Sequence, residues 1–127
     1  MLVAVAKERR EGETRVAMVP ELVGRLSALG YDVHLEPGAG LDALHPDEAY
    51  AAAGATLDPD PMATADVVLS VQPLSSRQLR GLPQGAATIS FLPPAQSLDE
   101  VVERRDLGIT SFAMELVPRI SRAQSMD

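Results

Sequence analysis

Cysteine and tryptophan are absent from this chain of 127 residues, and lysine occurs once, at Lys7, against ten arginines. Without cysteine there is no disulfide, no thiolate metal site and no cysteine nucleophile. Aromatic side chains are scarce, two Phe and two Tyr, so a core must be built from Leu, Val, Ala and Met. The two histidines, His34 and His45, stand in no cluster of Cys, His or carboxylates with metal-ligand spacing, and no metal site is expected. No serine sits in a nucleophile-elbow context, which removes the commonest serine-hydrolase signature. Positive charge is in deficit: the formal net charge of −7 argues against a nucleic-acid backbone as partner. No apolar run approaches the ~20 residues of a membrane-spanning helix. The N-terminal run, Met1 to Ala6, has no basic region before it and makes a poor signal peptide. These absences lead to the expectation of a soluble, intracellular domain.

What is present is a regular alternation. Hydrophobic residues make up 46% of the chain, enough for one packed core. Leu2 to Ala6 is a short apolar run rich in Val, read as a strand buried on both faces. After a polar loop from Lys7 to Thr14, Pro20 opens a helix at a position where its missing N–H costs nothing. Leu22, Leu26 and Leu29 recur at helical spacing as an apolar stripe, and Gly30 stops the helix. Strands are expected over 31–36, 66–71, 86–92 and 109–112. Short helices are expected after Pro46, after Ser75 or Ser76, and after Ser97, where Ser97 and Glu100 have capping-box spacing. Thr56 to Ala65, with Pro59 and Pro61, reads as loop with at most one helical turn. Strands joined by helices in this order predict an α/β domain: a parallel sheet with helices on both faces, a Rossmann-like three-layer sandwich. No repeat or linker divides residues 1–127.

Three stretches hold polar chemistry. Gly38-Ala39-Gly40-Leu41-Asp42-Ala43 has the letters of a dinucleotide fingerprint after a strand. That mechanism needs a long helix whose N-terminal amides face a pyrophosphate. Pro46 would break such a helix within about one turn and Pro37 intrudes on the tight turn, so a structural glycine loop is the better reading. Lys7, Glu8, Glu13 and Arg15 follow the first strand, at the sheet edge where open α/β proteins bind ligands. An ion pair of Arg15 with Glu8 or Glu13 is the structural alternative for that arginine. The third stretch, Glu115 to Asp127, packs two arginines, a glutamine and two serines behind Pro118. Arg119 and Arg122 offer rigid donor forks, Gln124 donates and accepts at once, and Asp127 can hold an arginine in place. A solvated polar loop is the bland alternative.

Pro118-Arg119-Ile120-Ser121-Arg122-Ala123-Gln124-Ser125-Met126-Asp127 resembles the loop of the NAD(H)-binding component (alpha subunit, domain I) of proton-translocating nicotinamide nucleotide transhydrogenase. A second stretch, Lys7-Glu8 through Glu13-Thr14-Arg15-Val16-Ala17 to Pro20, is similar to both that family and the related alanine dehydrogenases. The resemblance covers essentially the whole chain. It implies that Arg119, Gln124 and Asp127 lie at the nicotinamide end of NAD(H), as cofactor-binding and catalytic residues. It implies a single domain of a larger two-domain protein, with the true glycine fingerprint on a second, Rossmann-type domain. NADP(H) then sits on a partner domain, hydride passes directly between the two nicotinamides, and a membrane proton-channel component couples the transfer to proton translocation. A homodimer on the cytoplasmic side, peripheral to the inner membrane through partner subunits, belongs to the same implication. The end at Asp127 falls inside the matching loop, so a truncation or domain cut is expected. In alanine dehydrogenases the residue matching Arg15 binds the substrate carboxylate, and a lysine and a histidine act beside it. Those two positions correspond here to Val71 and Pro93, and neither side chain can bind a keto oxygen or move a proton. An alanine- or saccharopine-type amino-acid dehydrogenase and a non-catalytic interaction domain are therefore the alternatives.

Overall fold

The computed structural model describes residues 1–90 and 108–113 of the chain. Six parallel strands form one sheet in the order β3-β2-β1-β4-β5-β6. They are β1 (Leu2–Val5), β2 (Asp32–Leu35), β3 (Thr56–Leu57), β4 (Val67–Ser70), β5 (Ala87–Ser90) and β6 (Thr110–Ala113). Among the described residues, helices α1 (Pro20–Ala28), α2 (Asp47–Ala52) and α3 (Ser76–Arg80) and two 3-10 turns, Leu41–Ala43 and Pro61–Thr64, fill the crossovers between β1 and β5. From β1 the chain builds outward through β2 and β3, then returns to lay β4 against the other side of β1. The sheet order thus reverses between β1 and β4.

Alternation along β1 explains the layers. Val5 points to one face, where it packs with Val23 of α1, Tyr50 of α2, Val33 and Leu35. Ala4 and Ala6 point to the other, with Val68, Leu79 of α3, Met62 and Ile109. Two apolar layers sandwich the sheet, the arrangement the strand–helix alternation predicts. The aromatic-poor core relies on Tyr50, which is fully buried and donates its hydroxyl to the Met18 carbonyl at 2.7 Å. Burial, then the charges of Glu21 and Asp47, push the Tyr50 phenol up to about 12.

Helix ends follow the sequence signals. Gly30 sits at φ +93° after α1, and its N–H bonds the Ser27 carbonyl while Tyr31 N–H reaches back to Leu26. This is the paired C-terminal bonding that favours glycine. Ser75 caps α3 in a reciprocal box with Gln78. Two expectations fail. The stripe of Leu22, Leu26 and Leu29 is not the buried one, since Leu22 is 41% and Leu29 73% exposed. The inward face centres on Val23 and Pro20, with Leu26 half in; Leu22 lies about 100° round the helix from Val23. Thr56–Leu57, read as loop, is a two-residue edge strand paired with His34 and Leu35. Both its residues are exposed, so it carries no apolar alternation to betray it. The Ser97 helix and its capping box lie outside the described residues. Among the described residues no helix is long and apolar enough to cross a membrane.

Candidate functional site: the carboxyl edge of the sheet

All six strands run the same way, so the segments that leave them collect on one edge. The chain leaves β1 as Ala6-Lys7-Glu8 and returns through Glu13 to Arg15. Three carboxylates organise this loop. Glu36, just past β2 and 5% exposed, takes both arms of the Arg9 guanidinium at 2.6 and 3.2 Å and accepts Lys7 N–H at 3.2 Å. The Glu36 carboxylate holds Arg9 above the ordinary arginine range. Glu8 accepts the main-chain N–H groups of Val71 and Gln72 at 2.9 and 3.0 Å, which ties the loop to the end of β4. Burial pushes the Glu8 carboxyl up, and those two N–H bonds oppose the rise. Glu13 receives the Arg15 fork at 2.9 Å on each oxygen, the Arg15 N–H at 3.0 Å, and the Gln72 amide at 2.7 Å. Arg15 first, then Gln72, bring the Glu13 carboxyl down to about 2. Arg10 adds a bond to the Pro73 carbonyl at 3.2 Å.

Between this loop and the segment after β4 opens a cleft of about 600 Å³, lined by Lys7, Arg10, Ser70, Gln72 and Arg77 among others. It lies where the strand order reverses, the place where open α/β sheets bind ligands. Of the residues singled out in the sequence, Lys7 and Glu8 line it. Arg15 pairs with Glu13, as the structural alternative anticipated, with its side chain 60% exposed. Val71 is 2% exposed and offers the edge only a main-chain N–H, already taken by Glu8. Arg119, Gln124, Asp127 and Pro93 lie outside the described residues.

The glycine loop after β2 is closed on itself. A side chain at Gly40 would sit 2.6 Å from the Tyr50 ring and 2.8 Å from the His45 carbonyl. Gly38 N–H is taken by Asp47 at 2.8 Å, and only a three-residue 3-10 turn follows. With the Gly38 N–H spent and no long helix following the glycines, the loop lacks the helix-terminus cradle a pyrophosphate needs, so it is structural. His34 pairs with Asp58 at 3.0 Å on the β2–β3 side and lowers that carboxyl. No group of three metal-type ligands occurs among the described residues. Sequence reasoning missed the Arg9–Glu36 pair and the tie of Gln72 to Glu13. The available signal for the first was the place of Glu36, directly past a buried strand at the ligand edge.

The model of the alanine dehydrogenase/PNT N-terminal domain family matches residues 4–127. The chain is 42% identical over 130 residues to NAD(P) transhydrogenase subunit alpha of Cereibacter sphaeroides, covering all of this chain and 25% of that protein. The crystal structure of transhydrogenase from Sinorhizobium meliloti superposes with a TM-score of 0.91 at 42% identity, over all of this chain and 39% of that one. An L-alanine dehydrogenase superposes with a TM-score of 0.81 at 25% identity, over 89% of this chain and 32% of that one. The chain thus spans about a quarter to two fifths of the length of these relatives.

Proposed function

This chain belongs to the alanine dehydrogenase/PNT N-terminal domain family, and from that membership we propose that it forms one side of the nicotinamide cleft in the NAD(H)-binding component of a proton-translocating transhydrogenase. The observation that carries this is the 42% identity to a transhydrogenase alpha subunit across the entire chain. In this reading Arg119, Gln124 and Asp127 meet the nicotinamide end of NAD(H). NADP(H) is held by a partner domain, and a membrane component couples the transfer to protons. The assembly is a homodimer, peripheral to the inner membrane on its cytoplasmic side.

The described residues fit part of a dinucleotide site. Glu8 and Glu13 lock the carboxyl edge into one arrangement through Val71, Gln72 and Arg15. The closed loop at Gly38 and Gly40 supplies no pyrophosphate cradle, which leaves that grip to another domain. The cofactor supplies the hydride chemistry; this chain supplies position and a polar lining. Amino-acid dehydrogenation fits less well, because the buried Val71 stands where that chemistry needs a lysine.

The test uses the full polypeptide with its partner components. Gln124→Asn keeps the carboxamide and shortens its reach. Displacements of about 1 Å cost ~100-fold in rate, so single-turnover hydride transfer should slow by one to two orders of magnitude, about 1.4–2.8 kcal/mol of barrier. NADH affinity should change much less, whereas Arg119→Ala should weaken both. A tenfold loss of affinity with an unchanged transfer rate in Gln124→Asn would refute the positioning role. The same preparation should not oxidise L-alanine with NAD+; turnover above ~1 per second would move the protein to the dehydrogenase side of its family.

A further inference from the structure

The cleft between β1 and β4 has a floor and a mouth of different chemistry. Its floor is apolar, formed by Ala6, Met62 and Leu74, and set into it is Ser70. Ser70 is 1% exposed, and its hydroxyl has no hydrogen-bond partner among the described residues. A buried hydroxyl left unbonded costs free energy that an alanine would not. The mouth carries Lys7, Arg10 and Arg77. Arg9 stands there too, but Glu36 occupies its fork. Lys7 and Arg77 make no ion pair among the described residues, and Arg10 spends one N–H on the Pro73 carbonyl. Besides Glu36, which Arg9 neutralises, two carboxylates oppose them at the lining, Glu8 and Asp60. Both oxygens of Glu8 already accept main-chain N–H groups. Three open cations against two carboxylates leave a positive mouth on a chain whose net charge is −7.

We propose that this cleft binds a small organic oxyanion, a carboxylate or a phosphate, held by Lys7, Arg10 and Arg77, with a polar atom of the ligand reaching the Ser70 hydroxyl. The volume of about 600 Å³ exceeds what a bare ion fills and falls among small-molecule sites. The ligand therefore has a body that covers Ala6, Met62 and Leu74. This site is separate from the nicotinamide contacts assigned to Arg119, Gln124 and Asp127, and it stands whether or not that assignment does.

Titration calorimetry of the full polypeptide with malonate and with inorganic phosphate, against chloride at matched ionic strength, reads the site without nucleotide or turnover. At least one of the two anions should bind saturably. Lys7→Met, which removes the ammonium while keeping an unbranched side chain, and Arg77→Gln should each weaken it by about tenfold. Ser70→Ala should weaken it roughly threefold and at the same time raise the melting temperature of the unliganded protein, because the orphan hydroxyl is gone. Failure of both anions to bind better than chloride overturns the proposal, as does binding that survives Lys7→Met and Arg77→Gln unchanged. A fall in melting temperature for Ser70→Ala overturns the role of the hydroxyl. Addition of NADH should leave the bound anion in place, because the pyrophosphate is gripped elsewhere; displacement of the anion by NADH overturns a site separate from the dinucleotide.

Discussion

Two loops leave neighbouring parallel strands at the same edge of the sheet and have opposite fates. The loop after β2 has the glycines of a nucleotide fingerprint, and the structure spends all of them on packing. Gly40 exists to let the Tyr50 ring approach, and Gly38 hands its N–H to Asp47. The loop after β1 has no motif letters for phosphate, yet it keeps Lys7 and most of the Arg10 donors open toward a cleft. The difference is one of bonding rather than composition. A glycine amide binds an anion only if nothing inside the fold has claimed its direction, and here Asp47 takes the Gly38 N–H while the buried Tyr50 ring fills the space at Gly40.

That contrast can be broken by relieving the crowding at Gly40. Tyr50→Ala removes a fully buried ring and should cost about 3–5 kcal/mol in urea unfolding. Gly40→Ala alone should cost about 1–3 kcal/mol, by overpacking against the ring and the His45 carbonyl. The two should couple: in the Tyr50→Ala background most of the Gly40→Ala cost should vanish, leaving only the share due to the His45 carbonyl. Strict additivity of the two losses would mean that Gly40 is required for some reason other than Tyr50, and the structural reading of the loop would fall.

The α/β alternation, the helix stop at Gly30 and the cap at Ser75 were legible because each rests on a local rule. Glycine tolerates positive φ, and serine accepts an N–H three residues on. The rejection of the Gly38 fingerprint was legible for the same reason, since Pro37 and Pro46 are local breakers. The edge strand Thr56–Leu57 was hidden because both residues are exposed and the pairing is made with β2, distant in the chain. The inward face of α1 was misread because three leucines outweigh one valine in a count, although the sheet sees Val23. The clamp of Glu8 on Val71 and Gln72 could not be read at all. It joins residues 63 and 64 positions apart, and only the reversal of strand order brings them together. Arg119, Gln124 and Asp127 were picked out by resemblance, and the described residues do not reach them.

The smallest effect sharpens the other side of the comparison, the loop after β1, because its two carboxylates should answer pH with opposite signs. Glu13 is held at about 2, below its ordinary value of 4.5, by Arg15 and Gln72. A depressed carboxyl contributes stability that is present above its unfolded value and is lost as pH falls from 4.5 toward about 2. Arg15 is exposed, so solvent screens the pair and the contribution at neutral pH should be no more than about 1 kcal/mol. Glu8 works the other way. Burial raises its carboxyl, so its contribution is fullest at low pH and fades as pH rises through the raised value. Urea unfolding of the parent and of Glu13→Gln should therefore differ at pH 7, and the gap should narrow steadily from pH 4.5 down to about 2, the window set by the Glu13 values. A gap that stays constant across that range would show that the bonds from Arg15 and Gln72 hold Glu13 in shape without drawing on its charge. The loop would then be pinned by geometry alone, as the glycine loop beside it is.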